Sequence, residues 1–271
     1  MAVNNEPIKA IRNPSYMTRA EFISRAVKIM GVGTNIPLWW LPTISETTTS
    51  TDVGAPTGSG KTLTYSKDVT TWDTEIKYLG QGLNLKFDGT DEELDTTDTT
   101  DLSNTLDAMT WLAVVNLTDA TSSTIISRQD LTSSSEVREW LFMFDSADKL
   151  TMEIWDESVP ARIGQTTDST ITEGEWAMYA ATYDGGTDSS GVKLYKNGVL
   201  LGSIADETGT FVSGEDGTVV TSIGDYEGTD GNNTDFMDGS MATVMVAATE
   251  ASAAQLLNLT SLFNKYLDLS M

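Results

Sequence analysis

The sequence predicts an all-β sandwich or jelly-roll of two antiparallel sheets, preceded by one helix and closed by another. Three observations predict it. From Ile36 onward, short segments rich in β-branched and aromatic residues alternate with Gly, Asn, Asp, Ser and Thr. Within those segments apolar and polar residues tend to alternate with period two, and an Asn-Gly dipeptide marks a tight hairpin. Helical spacing occurs at only two places, and each is opened by a capping box. The 271 residues suit one large sandwich with appendages. An apolar content of 39%, with 7 Trp, 8 Tyr and 7 Phe, is enough to build its core.

Residues 1–34 are expected to form a basic N-terminal arm, and residues 35–271 the sandwich with its closing helix. Met1 to Tyr16, with Pro7 and Pro14, is irregular. Thr18 and Glu21 then cap a helix whose stripe is Phe22, Ile23, Ala26, Val27 and Met30, and Gly31 stands at its stop. Leu83 to Phe87 alternates as a half-buried strand, and Thr110 to Leu117 is a long apolar one. Trp140 to Phe144 and Leu150 to Trp155 make a hairpin around Ser146-Ala147-Asp148. Trp176 to Tyr183 and Val192 to Tyr195 follow, and Lys196-Asn197-Gly198-Val199 supplies the tight turn. Val219 to Ile223 and Met241 to Ala247 complete the strands. Ser252 with Gln255 opens the last helix, whose Leu256, Leu259, Phe263 and Leu267 can pack on the sandwich.

Composition excludes several function classes. With no Cys and no His there is no disulfide, no thiolate or imidazole metal site, no Cys nucleophile and no histidine base. Any metal must be a hard cation held by oxygens. The net charge is −24, yet the first thirty residues carry five basic residues against two acidic ones. The rest of the chain therefore repels nucleic acid and anionic membranes. No apolar run is long enough to cross a membrane, and no signal peptide is expected. Opposite charges on arm and body give the arm two readings. Arg19, Arg25 and Lys28 are either the solvated face of a helix packed on its own body, or, with Phe22 and Val27, a docking element for an acidic partner or a second copy.

Laid in order, the strands resemble the laminin G-like, concanavalin A-like family. Gly82 to Glu92 resembles the family's opening L-x-F-D-G-x-D-D strand, and Leu106 to Val115 its F-T-I-S-A-W-V strand. Gly174 to Gly185 resembles G-x-W-H-H-V-A-A-T-Y-D-G without the histidines. Lys193 to Leu200 resembles L-Y-V-N-G-x-L, and Gly239 through Leu256 the closing strand and its short helix. The match in order and spacing runs over roughly residues 36 to 260 and implies a concanavalin A-like jelly-roll. Ile36-Pro37-Leu38-Trp39-Trp40 is similar to the opening of such domains in phage and viral structural proteins. That resemblance implies a non-enzymatic virion surface protein, in a capsid decoration, turret or tail-associated role. It would be made in the host cytoplasm, form a homo-oligomer and dock on other virion proteins. A carbohydrate-binding, lectin-like module is the alternative, with a host-surface glycan as partner.

Four motifs bear on chemistry. Ala55 to Thr62 reads like a phosphate-cradling loop, but polar Ser45 to Asp52 precedes it and strand-like Leu63-Thr64-Tyr65-Ser66 follows, so an NTPase is not expected. Glu153-Ile154-Trp155-Asp156-Glu157 is similar to a hydrolase E-x-D-x-E strand, but Trp155 takes the place of the middle carboxylate and Asp156 falls on the other face. Asp88, Asp91 and Glu92, beside the Asp95, Asp98 and Asp101 run, could offer oxygens to calcium. Of the seven Trp, most sit at core parity, and Trp72, in a polar stretch, is the candidate for stacking on a glycan.

Overall fold

Period-two alternation in the sequence becomes two facing antiparallel sheets. The structure, a computed structural model, describes residues 17–31, 35–42, 49–51, 62–65, 76–96, 100–131, 137–227 and 233–271. Among these, the first sheet runs Val199–Leu200, Val192–Lys196, Ala177–Tyr183, Met109–Asp119, Asp238–Ala247, Gly82–Asp88 and Ile76–Leu79. Leu38–Trp40 pairs with the far end of Asp238–Ala247. The second sheet runs Ser203–Ala205, Ala161–Thr167, Leu150–Asp156, Val137–Phe144, Ser123–Asp130, Thr221–Ile223, Leu94–Thr96, Thr62–Tyr65 and Thr49–Thr51.

The long apolar run at Met109–Asp119 has a physical reason. Its Trp111, Ala113, Val115 and Leu117 face the core between the sheets, where Trp111 meets Trp140 at 5.6 Å. Its Leu112 and Val114 point the other way, into a second core beneath two helices. A strand buried on both faces has no polar side to show.

Those helices are α1 (Arg19–Met30) and α2 (Ala253–Leu267). Thr18 with Glu21 and Ser252 with Gln255 form the capping boxes expected from the sequence. Gln255 also ties the two helices together. Its Nε2 donates to the carbonyls of Ile29 and Met30, at 3.0 and 2.9 Å, satisfying the end of α1.

The docking reading of α1 is corrected for its apolar residues. Phe22 is fully buried in its own chain, stacked on Tyr266 at 4.2 Å and tilted against Trp39 and Phe263. Val27 is partly buried against the same core. Arg19 is half-buried, and its guanidinium donates to the Leu41 carbonyl at 3.2 Å. Only Arg25 and Lys28 of the five stand exposed. An aromatic ring gains most by leaving water, and the body of its own chain is always within reach.

Candidate functional site

Turns place the polar groups. At Asn197-Gly198 both residues have positive φ, 54° and 78°, as a tight hairpin requires. A Cβ on Gly198 would come within 2.5 Å of Leu257 Cα, so the turn and α2 touch backbone to backbone. Asn197 Oδ1 also accepts the Met178 N–H at 2.8 Å, fixing the turn against the neighbouring strand. This corner carries an open groove of about 530 Å³, lined by Glu175, partly buried Trp176, Lys196, Asn197 and residues 268–271. Lys196 Nζ pairs with Glu175 at 2.5 Å across it.

The outer face of the second sheet holds the other concentration of charge. Leu150, Met152 and Ile154 point into the core, so Glu153 and Trp155 point out, as the alternation predicted. Trp155 lies with Leu141, Met143 and Tyr226, and the Arg138 guanidinium sits 5.9 Å from its ring centre. Glu153 lies 3.5 Å from Arg162, which holds Asp206 at 2.7 Å. Burial pushes the Glu153 carboxyl up to about 7, against the pull of Arg162 and with help from Asp206.

Asp156 faces the other way and is a structural pin. Its carboxylate accepts from Ser158 Oγ and from the backbone N–H groups of Val159, Val212 and Ser213, at 2.6 to 3.3 Å. Burial opposes its charge, but these bonds outweigh burial and hold the carboxyl below its usual range.

Asp88, Asp91 and Glu92 come together, with carboxylate oxygens all within 4.8 Å of one another. They are hard oxygen donors of the type calcium takes. Two of these groups already serve their own turn: Glu92 Oε2 accepts the Asp88 N–H at 2.6 Å, and Asp88 Oδ1 accepts that of Thr90 at 3.0 Å. Asp238 pairs directly opposite Asp88 in the sheet. Asp119, Asp148 and Glu173 form a second group of this kind, from three separate segments. Trp72, Asp98 and Gly58 to Lys61 lie outside the described residues; Thr62 opens a strand, not the helix a phosphate loop needs. Trp39, Trp40, Trp111 and Trp140 are fully buried, as core parity predicted.

The sandwich fold is shared with known proteins. A laminin G-type family, the Concanavalin A-like lectin/glucanases superfamily, matches residues 88–256. The chain belongs to this family. No curated protein matches the sequence. Among solved structures, domain 4 of an extracellular arabinanase from Geobacillus stearothermophilus, in complex with arabinotriose, aligns with TM-score 0.53 at 14% identity. It covers 84% of this chain and 98% of that domain. The botulinum neurotoxin serotype D ligand binding domain in complex with N-acetylneuraminic acid aligns with TM-score 0.51 at 15% identity, over 84% of this chain. The serotype G binding domain gives 0.54 at 12%, also over 84%. The chain spans about half the length of these toxin domains, 50% and 51%. At such identities the likeness establishes the concanavalin A-like fold of this family and nothing finer.

Proposed function

We propose that the domain recognises a glycan, without cleaving it, in the groove at Trp176. The observation that carries this is one partly buried indole beside the Glu175–Lys196 pair and Asn197, in an open recess. A sugar ring offers a C–H face to an aromatic ring and hydroxyls to charged and amide groups. Few polar groups around an apolar contact are what such a site needs. The arabinotriose and N-acetylneuraminic acid complexes of similarly folded domains support the choice of ligand class.

The carboxylates of the second sheet support binding without hydrolysis. Glycoside hydrolysis needs two carboxyls roughly 5–10 Å apart with the bond between them. Glu153 and Asp206 instead share the Arg162 guanidinium, and Asp156 is committed to the backbone. The test is a glycan array followed by titration of each hit against Trp176→Ala and Glu175→Gln. Both variants should stay folded and lose roughly tenfold or more in affinity. Native protein that retains no glycan, or hits that bind Trp176→Ala equally well, would end the proposal.

Arg25 and Lys28 favour a second reading. They are exposed cations on a helix otherwise packed into its own body, on a chain of net charge −24. In this reading the domain is a virion surface protein, and the pair meets the acidic body of a neighbouring copy. Light scattering should show an oligomer that becomes monomeric in Arg25→Glu/Lys28→Glu. A native monomer, or an oligomer indifferent to the change, would sink it.

A further inference from the structure

Residues 268–271, where the chain leaves α2, form one wall of the Trp176 groove. Asn264 holds them there. Its carbonyl accepts the N–H groups of Asp268 and Leu269, the latter at 3.0 Å. Its side-chain amide brackets Met271, with Nδ2 donating to Met271 O at 3.1 Å and Oδ1 accepting the Met271 N–H at 2.9 Å. Leu269 and Met271 are partly buried against the same core as Trp176. One residue of α2 therefore fixes this wall, and the place of Asp268 is fixed with it.

Asp268 stands where local forces disfavour an acid. It is the C-cap of α2, with φ 55°, in a left-handed position that Gly or Asn usually fills. The carbonyl end of a helix is the negative end of its dipole and favours a cation. Lys265, in the last turn, follows that rule but makes no ion pair with Asp268. The Asp268 side chain is exposed, and its carboxylate has no hydrogen bond or ion pair among the described residues. On a chain of net charge −24, one more unpaired carboxylate adds repulsion. A residue that breaks local rules with no compensating contact points to a use outside the fold.

The groove also holds Glu175, but Lys196 neutralises it at 2.5 Å. Asp268 is the charge left over, so the recess is negative beside an indole. An aromatic ring with an uncompensated carboxylate is a combination that attracts an ammonium group. The same field repels an anionic sugar such as the N-acetylneuraminic acid in complex with the toxin domain. We propose that Asp268 is the specificity-determining carboxylate of the groove, pairing with the ammonium of a 2-amino sugar in a glycan that lies on Trp176. The inference rests on the glycan reading of this groove and names its ligand class.

Titration calorimetry at low salt and mildly acidic pH tests it with two trimers of one skeleton. The glucosamine trimer carries ammonium groups, and the N-acetylglucosamine trimer is neutral. The proteins are native, Asp268→Asn, Trp176→Ala and Asp216→Asn, the last removing the same charge from an exposed loop outside the groove. Native protein should prefer the glucosamine trimer by roughly fivefold or more. Asp268→Asn should lose that preference, Asp216→Asn should keep it, and Trp176→Ala should bind neither trimer. Because Asn suits the left-handed position and relieves the helix end, Asp268→Asn should also melt about 1–3 °C higher than native. Equal binding of both trimers, lost in Trp176→Ala, would overturn the ammonium inference and leave the groove standing. A preference weakened as much by Asp216→Asn as by Asp268→Asn would assign it to net charge and overturn it too. No binding of either trimer to native protein would overturn it, while the groove is judged separately on other glycans. Should Asp268→Asn melt well below native, the carboxylate is structural and the proposal fails.

Discussion

Arg128 shows how much one side chain can organise. It is fully buried, and its Nε meets Glu139 at 2.7 Å, also fully buried. Its other nitrogens donate to the carbonyls of Val219 and Gly217 and to the hydroxyls of Thr221 and Ser103, at 2.8 to 3.3 Å. Glu139 returns the contact by accepting the Gly217 N–H at 2.8 Å. One ion pair therefore straps the 217–221 segment onto the second sheet. Burial still pushes the Glu139 carboxyl up to about 6, against the pull of Arg128, so the pair is held at a cost. Arg128→Met should destabilise the chain by about 3–5 kcal/mol in urea unfolding, because it strands a buried carboxylate. Adding Glu139→Leu should recover most of that loss. A double variant no better than the single one would show that the strap is needed for its shape and not for balanced charge. Little of this was legible in the sequence. Arg128 and Glu139 are ordinary charged residues in strands, and their partners come from a loop some ninety residues away. Separation along the chain likewise hid the pairing of Asp206 with Glu153 through Arg162 and of Asp238 with Asp88, whereas Asp88, Asp91 and Glu92 were found because they share one turn.

At the scale of elements, local rules worked wherever local forces decide. Both capping boxes formed as read, since a cap is made by residues three apart. The hairpin around Ser146 to Asp148 formed, with Asp145 accepting from Ala147 and Lys149, as did the Asn197-Gly198 turn. Period two put Trp155 outside and Ile154 inside. The sequence was silent on which apolar face meets which. The stripe on α1 was visible, but nothing within twelve residues distinguishes a helix seeking a neighbour from one lying on its own sheet. The decision belongs to Tyr266 and Phe263, more than two hundred residues on, and to Gln255, whose amide closes the end of α1. Tyr179, one aromatic in an all-buried strand, reads as core from the sequence, and only the packed sandwich shows that its hydroxyl has no hydrogen-bond partner among the described residues.

At the scale of the whole molecule, the second sheet holds carboxyls that resist ionising. Asp95, Glu139 and Glu153 all lie on the second sheet, alternating with Leu94, Trp140 and Ile154, which enter the core. Burial raises all three carboxyls, to about 6, about 6 and about 7, and partners that favour the charge (Ser222, Arg128 and Arg162) only partly offset it. Each therefore holds its proton more tightly in the folded chain than in the unfolded one. The stability they contribute is complete below the ordinary carboxylate range and is lost as pH climbs through about 6 to 7. Repulsion at a net charge of −24 acts in the same direction. The opposite sign holds for Asp119, Asp156 and Asp188, whose carboxyls are held below the usual range, so their contribution disappears on stronger acidification. The melting temperature should accordingly rise from pH 8 to a maximum near about pH 5 and fall again below about pH 4. Salt distinguishes the two causes: molar salt screens the general repulsion, but it leaves the burial of three carboxyls untouched. A slope between pH 8 and pH 5 that survives molar salt and flattens in Glu153→Gln would assign the effect to the sheet. A slope abolished by salt would assign it to net charge alone, and a melting temperature higher at pH 8 than at pH 5 would contradict both.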